Sequence, residues 1–167
     1  ESFREAAEDL QVYGAIHVDP KDIERVAEDM GRQIQDWMVR QNSAALLGAA
    51  SDDPDKETIP IFYVALDGTG APMRKSELTQ TKGKNGKPKT REVKLGCVFT
   101  QTGFDEQGRP IRDPASTSFT GAIEIAAEFG WRIYSEAVRR GLFEAKRVVI
   151  LSDGAEWIRN IVQIHFP

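Results

Sequence analysis

Two short apolar runs constrain this chain more than any other feature in it. Ile61 to Leu66 leads into Asp67-Gly68-Thr69-Gly70, and Arg147 to Leu151 leads into Ser152-Asp153-Gly154. Apolar runs of this length, bounded by turn residues, read as central strands covered on both faces. Each delivers an aspartate at its carboxyl end with a glycine directly behind it. In α/β sheets, ligands bind beyond the carboxyl ends of strands at a topological switch point. If the two strands are parallel neighbours, Asp67 and Asp153 face each other. Asp-Gly after a strand is also ordinary turn chemistry, so the pairing of two such tips carries the inference.

The stretch between the runs is α/β in pattern. Val93, Leu95, Cys97 and Phe99 alternate as a second strand. Phe104-Asp105-Glu106-Gln107-Gly108-Arg109 is a turn, with Gly108 suited to positive φ. A third strand is expected within 109–119, its limits blurred by Pro110 and Pro114. Thr120 is placed to cap a helix lined by Ile123, Ala126, Ala127, Ile133, Tyr134, Ala137 and Val138 and closed by Gly141. Residues 155–165 give a last helix through Trp157, Ile158, Ile161, Val162 and Ile164.

The first 50 residues read as helical. Phe3, Ala6, Ala7 and Leu10 recur at helical spacing, and Gly14 is a natural stop. Asp19-Pro20 is an N-cap and first-turn pair. Behind it Ile23, Val26, Ala27, Met30, Ile34, Trp37 and Met38 form one apolar stripe. Helix-turn-helix insertion into DNA is disfavoured, because Asp22, Glu24, Glu28 and Asp29 crowd the second helix. A packing or dimerisation element fits it better. Periodicity is lost over 41–58, and 51–58, with three aspartates and Pro54, reads as a solvated linker. The expected organisation is a helical segment 1–50, a linker 51–58 and an α/β domain 59–167.

Charge supports a division of duties. Residues 1–57 hold 14 acids and 6 bases, and residues 58–167 hold 12 acids and 16 bases. Of those bases Arg74, Lys75, Lys82, Lys84, Lys87, Lys89, Arg91 and Lys94 fall in one polar stretch with Glu77 and Glu92, a plausible phosphate-backbone contact. A solvated hairpin tip is the alternative. No apolar run approaches the ~20 residues that span a bilayer, and the acidic opening does not read as a signal peptide. Cys97 is the one cysteine; it reads as a small hydrophobe in a reducing cytosol. His17 and His165 read as surface or packing residues, and Trp131 and Trp157 as core.

Two adjacent carboxylates raise each other's pKa unless a cation compensates them. Oxygen ligands without nearby Cys or His point to Mg²⁺ or Mn²⁺ rather than zinc. Two such ions about 4 Å apart activate an attacking hydroxyl and stabilise the leaving oxygen at a phosphodiester.

Four segments carry a resemblance in order: Val64-Ala65-Leu66-Asp67-Gly68-Thr69-Gly70; Thr90 to Thr100 (TREVKLGCVFT); Val148-Val149-Ile150-Leu151-Ser152-Asp153-Gly154-Ala155; and Trp157-Ile158. The series resembles the DDE transposases of bacterial insertion sequences of the ISKra type, over essentially residues 60–167. The resemblance implies a ribonuclease-H-like fold, with three antiparallel strands, a helix, and a fourth strand parallel to the first. It implies that Asp67 and Asp153 are the first two acids of a metal triad. The implied activity is divalent-metal-dependent DNA cleavage and strand transfer on transposon ends and target, in a cytoplasmic, nucleoid-associated setting. His165-Phe166-Pro167 falls where the family continues into a fifth strand and a later glutamate. The expectation is therefore a fragment, inactive alone, whose fourth strand is an apolar edge that favours homo-oligomers. Glu156 is the one nearby candidate for a third ligand.

Other classes fit less well. A haloacid-dehalogenase-like phosphatase needs a nucleophilic aspartate where this chain has Ala65. An actin-like or sugar-kinase fold needs a second lobe. A non-catalytic DNA-binding or dimerisation module, using the basic stretch and the helical head, is the main alternative.

Overall fold

The computed structural model describes residues 2–48, 58–73 and 90–167. The expected linker, apart from Thr58, lies outside them. The chain divides into two compact units, Glu1–Gln41 and Asn42–Pro167, each taken by itself.

Helix α1 spans Phe3–Gly14. Ser2 and Glu5 close a capping box: the Glu5 amide donates to the Ser2 hydroxyl, and the Ser2 amide donates to the Glu5 carboxylate. The left-handed residue that ends α1 is Ala15, φ 51°, one beyond the expected stop at Gly14. Helix α2 spans Pro20–Gly48, and Asp19 caps it by accepting from the Lys21 amide at 2.8 Å. It runs well past Met38, through a stretch read as irregular. Ala44, Ala45, Leu46 and Leu47 are strong helix formers, and propagating a helix is far easier than starting one.

The α/β unit is built on a four-stranded mixed sheet in the order β5-β2-β1-β6. Strands β1 (Phe62–Pro72), β2 (Thr90–Thr100) and β5 (Ser118–Ala122) pair antiparallel. Strand β6 (Val148–Leu151) runs parallel to β1. Three antiparallel strands with a parallel fourth is the expected arrangement. Helices α3 (Ala126–Arg139) and α4 (Glu156–His165) complete the unit.

Two local expectations need correction. The third strand falls at Ser118–Ala122 rather than within 109–119. Residues 112–117 are held irregular by Pro114 and a left-handed Ala115, φ 56°, and by Asp113, which accepts from Thr100 and Thr102. The strands β3 (Gly103–Phe104) and β4 (Pro110–Ile111) pair there as a small hairpin. Its turn is as expected, with Gly108 at φ 76° and Asp105 accepting from the Gln107 and Arg109 amides. Thr120 caps no helix: it is buried in β5 opposite Gly96. Helix α3 starts at Ala126, without a side-chain cap.

The core lies on one face of the sheet. Phe62, Val64 and Leu66 of β1 and Val98 of β2 are buried against Phe129, Ile133 and Ala137 of α3 and Ile158 and Ile161 of α4. Even-numbered residues of β1 and β2 thus point at the helices, and odd-numbered ones at the opposite face. Gly96 lets α3 approach, since a Cβ there would stand 2.6 Å from the Ile133 side chain. The buried Glu136 carboxylate accepts from Ser118 and Arg139, which ties α3 to β5. On the other face Phe99 is covered by stacking on Tyr63, 4.8 Å between centroids, and by Arg112. Burial pushes the Cys97 thiol up, against a smaller opposing pull from Arg112, in keeping with a small hydrophobe. No helix among the described residues is long and apolar enough to cross a membrane.

His165 packs on Trp131 and Tyr134, at 4.8 and 5.5 Å between ring centroids, and burial lowers its pKa from 6.5. Trp131 itself is exposed, contrary to its reading as core. A histidine depressed by folding stabilises the fold fully above its unfolded pKa, and that contribution is lost as pH falls through the folded one. The melting temperature is expected to drop on acidification from about pH 6.5 to about pH 5, above the carboxylate range. His165→Phe should flatten that part of the profile; calorimetric melts of both proteins make the comparison.

Candidate metal and phosphate site

Asp67 lies on β1, and Asp153 two residues beyond the end of its parallel neighbour β6. Phe62 pairs with Val148 and Ala65 with Leu151, so each β1 residue is level with the β6 residue 86 positions later. Asp67 and Asp153 keep that spacing, two residues past the last pair. Neighbouring strands are about 4.8 Å apart. Asp67 follows the phase of Ala65, the face turned away from α3 and α4; Asp153 stands beyond the end of β6. Both are exposed.

The two aspartates differ in local setting. Asp153 lies beyond β6 in a turn, where its Oδ1 accepts from the Ala155 amide at 2.9 Å and Gly154 takes φ +82°. That turn leads directly into α4. Asp67 is not at a strand end, as the sequence suggested. It lies within β1, which continues paired to β2 as far as Pro72 opposite Thr90. Its Oδ1 accepts from the Gly68 amide at 2.7 Å.

The two glycines have separate reasons. Gly154 is needed for its left-handed backbone. Gly68 leaves space, but not for a ligand: a Cβ there would stand 3.1 Å from Glu92 Oε1 and 3.2 Å from Trp157.

Beneath Asp67, on the helix-facing side, sits a group the sequence did not reveal. Lys94, opposite Gly68, has only 7% of its side chain exposed. Its ammonium donates to Glu92 at 2.6 Å and lies 5.3 Å from the Trp157 ring centroid. Counted with the basic loop, it is instead a core residue joining β2 to the start of α4. Because α4 follows the Asp153 turn, this contact braces one carboxylate against the strand pair that carries the other. The signal was its even position, shared with Gly96 and Val98.

Of the basic residues expected to meet a phosphate backbone, Arg91 is described. It pairs with Ala71 in the β1–β2 extension, half-exposed and in phase with Leu95, the residue opposite Asp67. Four residues of strand put it about 13 Å along the same face. Arg74, Lys75, Lys82, Lys84, Lys87 and Lys89 lie outside the described residues. Glu156 opens α4. Among the described residues no three His, Cys, Asp or Glu side chains gather closely enough to hold a metal ion.

The donor chemistry fits a hard divalent cation at two carboxylates with open coordination for water or phosphate. No protein-family model matches the chain, and no curated protein matches it.

Proposed function

We propose that this chain is the ribonuclease-H-like catalytic region of a DDE transposase of the bacterial insertion-sequence type, acting on DNA with Mg²⁺ or Mn²⁺. The observation that carries the reading is the parallel β1–β6 pairing, which brings Asp67 of β1 and Asp153, two residues past β6, to the same end of neighbouring strands. Carboxylates brought close together repel each other, and a cation between them removes that cost. The mixed sheet, with α3 and α4 on its opposite face, supports the fold assignment.

Asp67 and Asp153 would hold the metal. When bound, it would polarise a phosphodiester oxygen and lower the pKa of a bound water. The protein's own part is positional. The β1–β6 pairing would bring the two carboxylates to one end of the sheet, the Gly154 turn would aim Asp153, and Lys94 with Trp157 would keep that turn against β1. Arg91 offers a bidentate contact to a backbone phosphate farther along the same face.

With two carboxylates at the site, metal binding is the first property to measure. Titration of the chain with Mn²⁺, followed by electron paramagnetic resonance, should show one saturable site of sub-millimolar to millimolar affinity, displaced by Mg²⁺. Binding that never saturates, or that Mg²⁺ does not displace, would overturn the reading.

A further inference from the structure

The sheet face turned away from α3 and α4 carries an exposed aromatic ring. Leu151, Ala65, Cys97 and Phe119 stand level across the four strands, one row below Asp67. Thr120 is buried toward the helices, so Phe119 beside it points the other way, and it is 72% exposed. The next residue of β5 on that face is Gly121, which adds no side chain of its own; Leu95 reaches across it, 3.0 Å from where a Cβ would stand.

Two arginines bracket this part of the face. Arg91 lies about 13 Å along it on one side of the Asp67 row. On the other side Arg112 stands over the Phe99 ring, 3.7 Å from its centroid. Its charge is felt at Cys97, the residue level with Phe119. Asp113, next in the chain, accepts from Thr100 and Thr102, and Arg112 stays exposed.

An exposed ring among arginines suits a single strand of nucleic acid, whose bases stack on the ring while the cations meet its phosphates. A duplex suits it poorly, because its bases are already stacked and freeing one carries an unstacking cost. From Phe119 to Asp67 is two strands across and two residues along, about 12 Å, a few nucleotides of backbone.

We propose that this face binds an unpaired stretch of DNA, with one base stacked on Phe119 and the phosphates running from Arg112 past Asp67 toward Arg91. DNA as the partner rests on the transposase reading above; what is new is that the strand beside the reacting phosphodiester is single rather than double.

The test is fluorescence anisotropy of a labelled oligothymidine of about 12 nucleotides, titrated with the full chain in EDTA. Phe119→Ala should weaken binding about 5- to 150-fold, the loss of one base–ring stack. Phe119→Trp should bind at least as tightly as the parent. With Phe119→Ala the slope of log affinity against log salt should not move, since no phosphate contact is lost; Arg112→Gln should flatten it by about 0.7. A duplex of the same length should be indifferent to Phe119→Ala. Because residue 119 is exposed, its variants should melt as the parent does. Single-strand affinity unchanged by Phe119→Ala overturns the proposal, as does an equal loss on duplex or no measurable binding of the oligomer. Mn²⁺ titration is read separately: a chain that takes the oligomer through Phe119 but takes no metal keeps this surface and loses the carboxylate site.

Discussion

Asp67→Asn is expected to lower Mn²⁺ affinity at least about 100-fold, because removing groups that merely orient a ligand already costs 10–100-fold. The fold should be unmoved. Asp67 is exposed, and an asparagine oxygen can still accept from the Gly68 amide; exposed substitutions of this kind stay within about 0.5 kcal/mol. In metal-free buffer the variant should melt no lower than the parent, since one of two repelling charges is gone. Asp153→Asn should behave alike, retaining its bond from the Ala155 amide. Glu106→Gln, in the exposed hairpin turn, should bind as the parent does. Titrations by paramagnetic resonance beside thermal melts read both quantities. Undiminished affinity in either aspartate variant would place the metal elsewhere.

Phe129→Ala is expected to cost about 3–5 kcal/mol, the range for truncating a buried phenylalanine. The ring is fully buried where α3 meets the sheet and α4, and meets Trp157 edge-on at 6.2 Å. Against a typical total of about 5–15 kcal/mol, that is a large share. Urea unfolding should show the midpoint falling with the slope unchanged. Below the transition, Mn²⁺ binding should persist, because Phe129 lies in the core on the helix side of the sheet and Asp67 on the other face. A loss under about 1 kcal/mol would mean that the ring is not enclosed as described.

How far the sequence leads depends on the kind of signal. The two apolar runs were legible because their residues are apolar in both phases, and their common exit into Asp-Gly made the parallel pairing a natural inference. Phase was not legible in β2. Val93, Leu95, Cys97 and Phe99 look like an inward face, yet α3 and α4 cover the even positions, among them Lys94 and Gly96. A lysine in an alternating strand reads as solvated, and its partners Glu92 and Trp157 are known only from the fold. Thr120 misled because a threonine before an apolar stretch suits a cap and a buried strand equally. Propensity also outran periodicity in α2, where an alanine–leucine stretch without a clear stripe continues the helix to Gly48. The basic residues 74–89 lie outside the described residues, so their proposed contact with DNA rests on composition.

The extension of β1 and β2 beyond β6 gives Asp67 an unusual mechanical position. Up to Ala65 the strand is flanked on both sides and braced by the core; past Gly68, where β5 also ends, it is one half of a ribbon whose other half is β2. Isolated two-strand ribbons are marginally stable and twist more freely than broad sheets. The carboxylate stands where β6 has already ended and β5 is about to, with broader sheet behind it and a two-strand ribbon ahead.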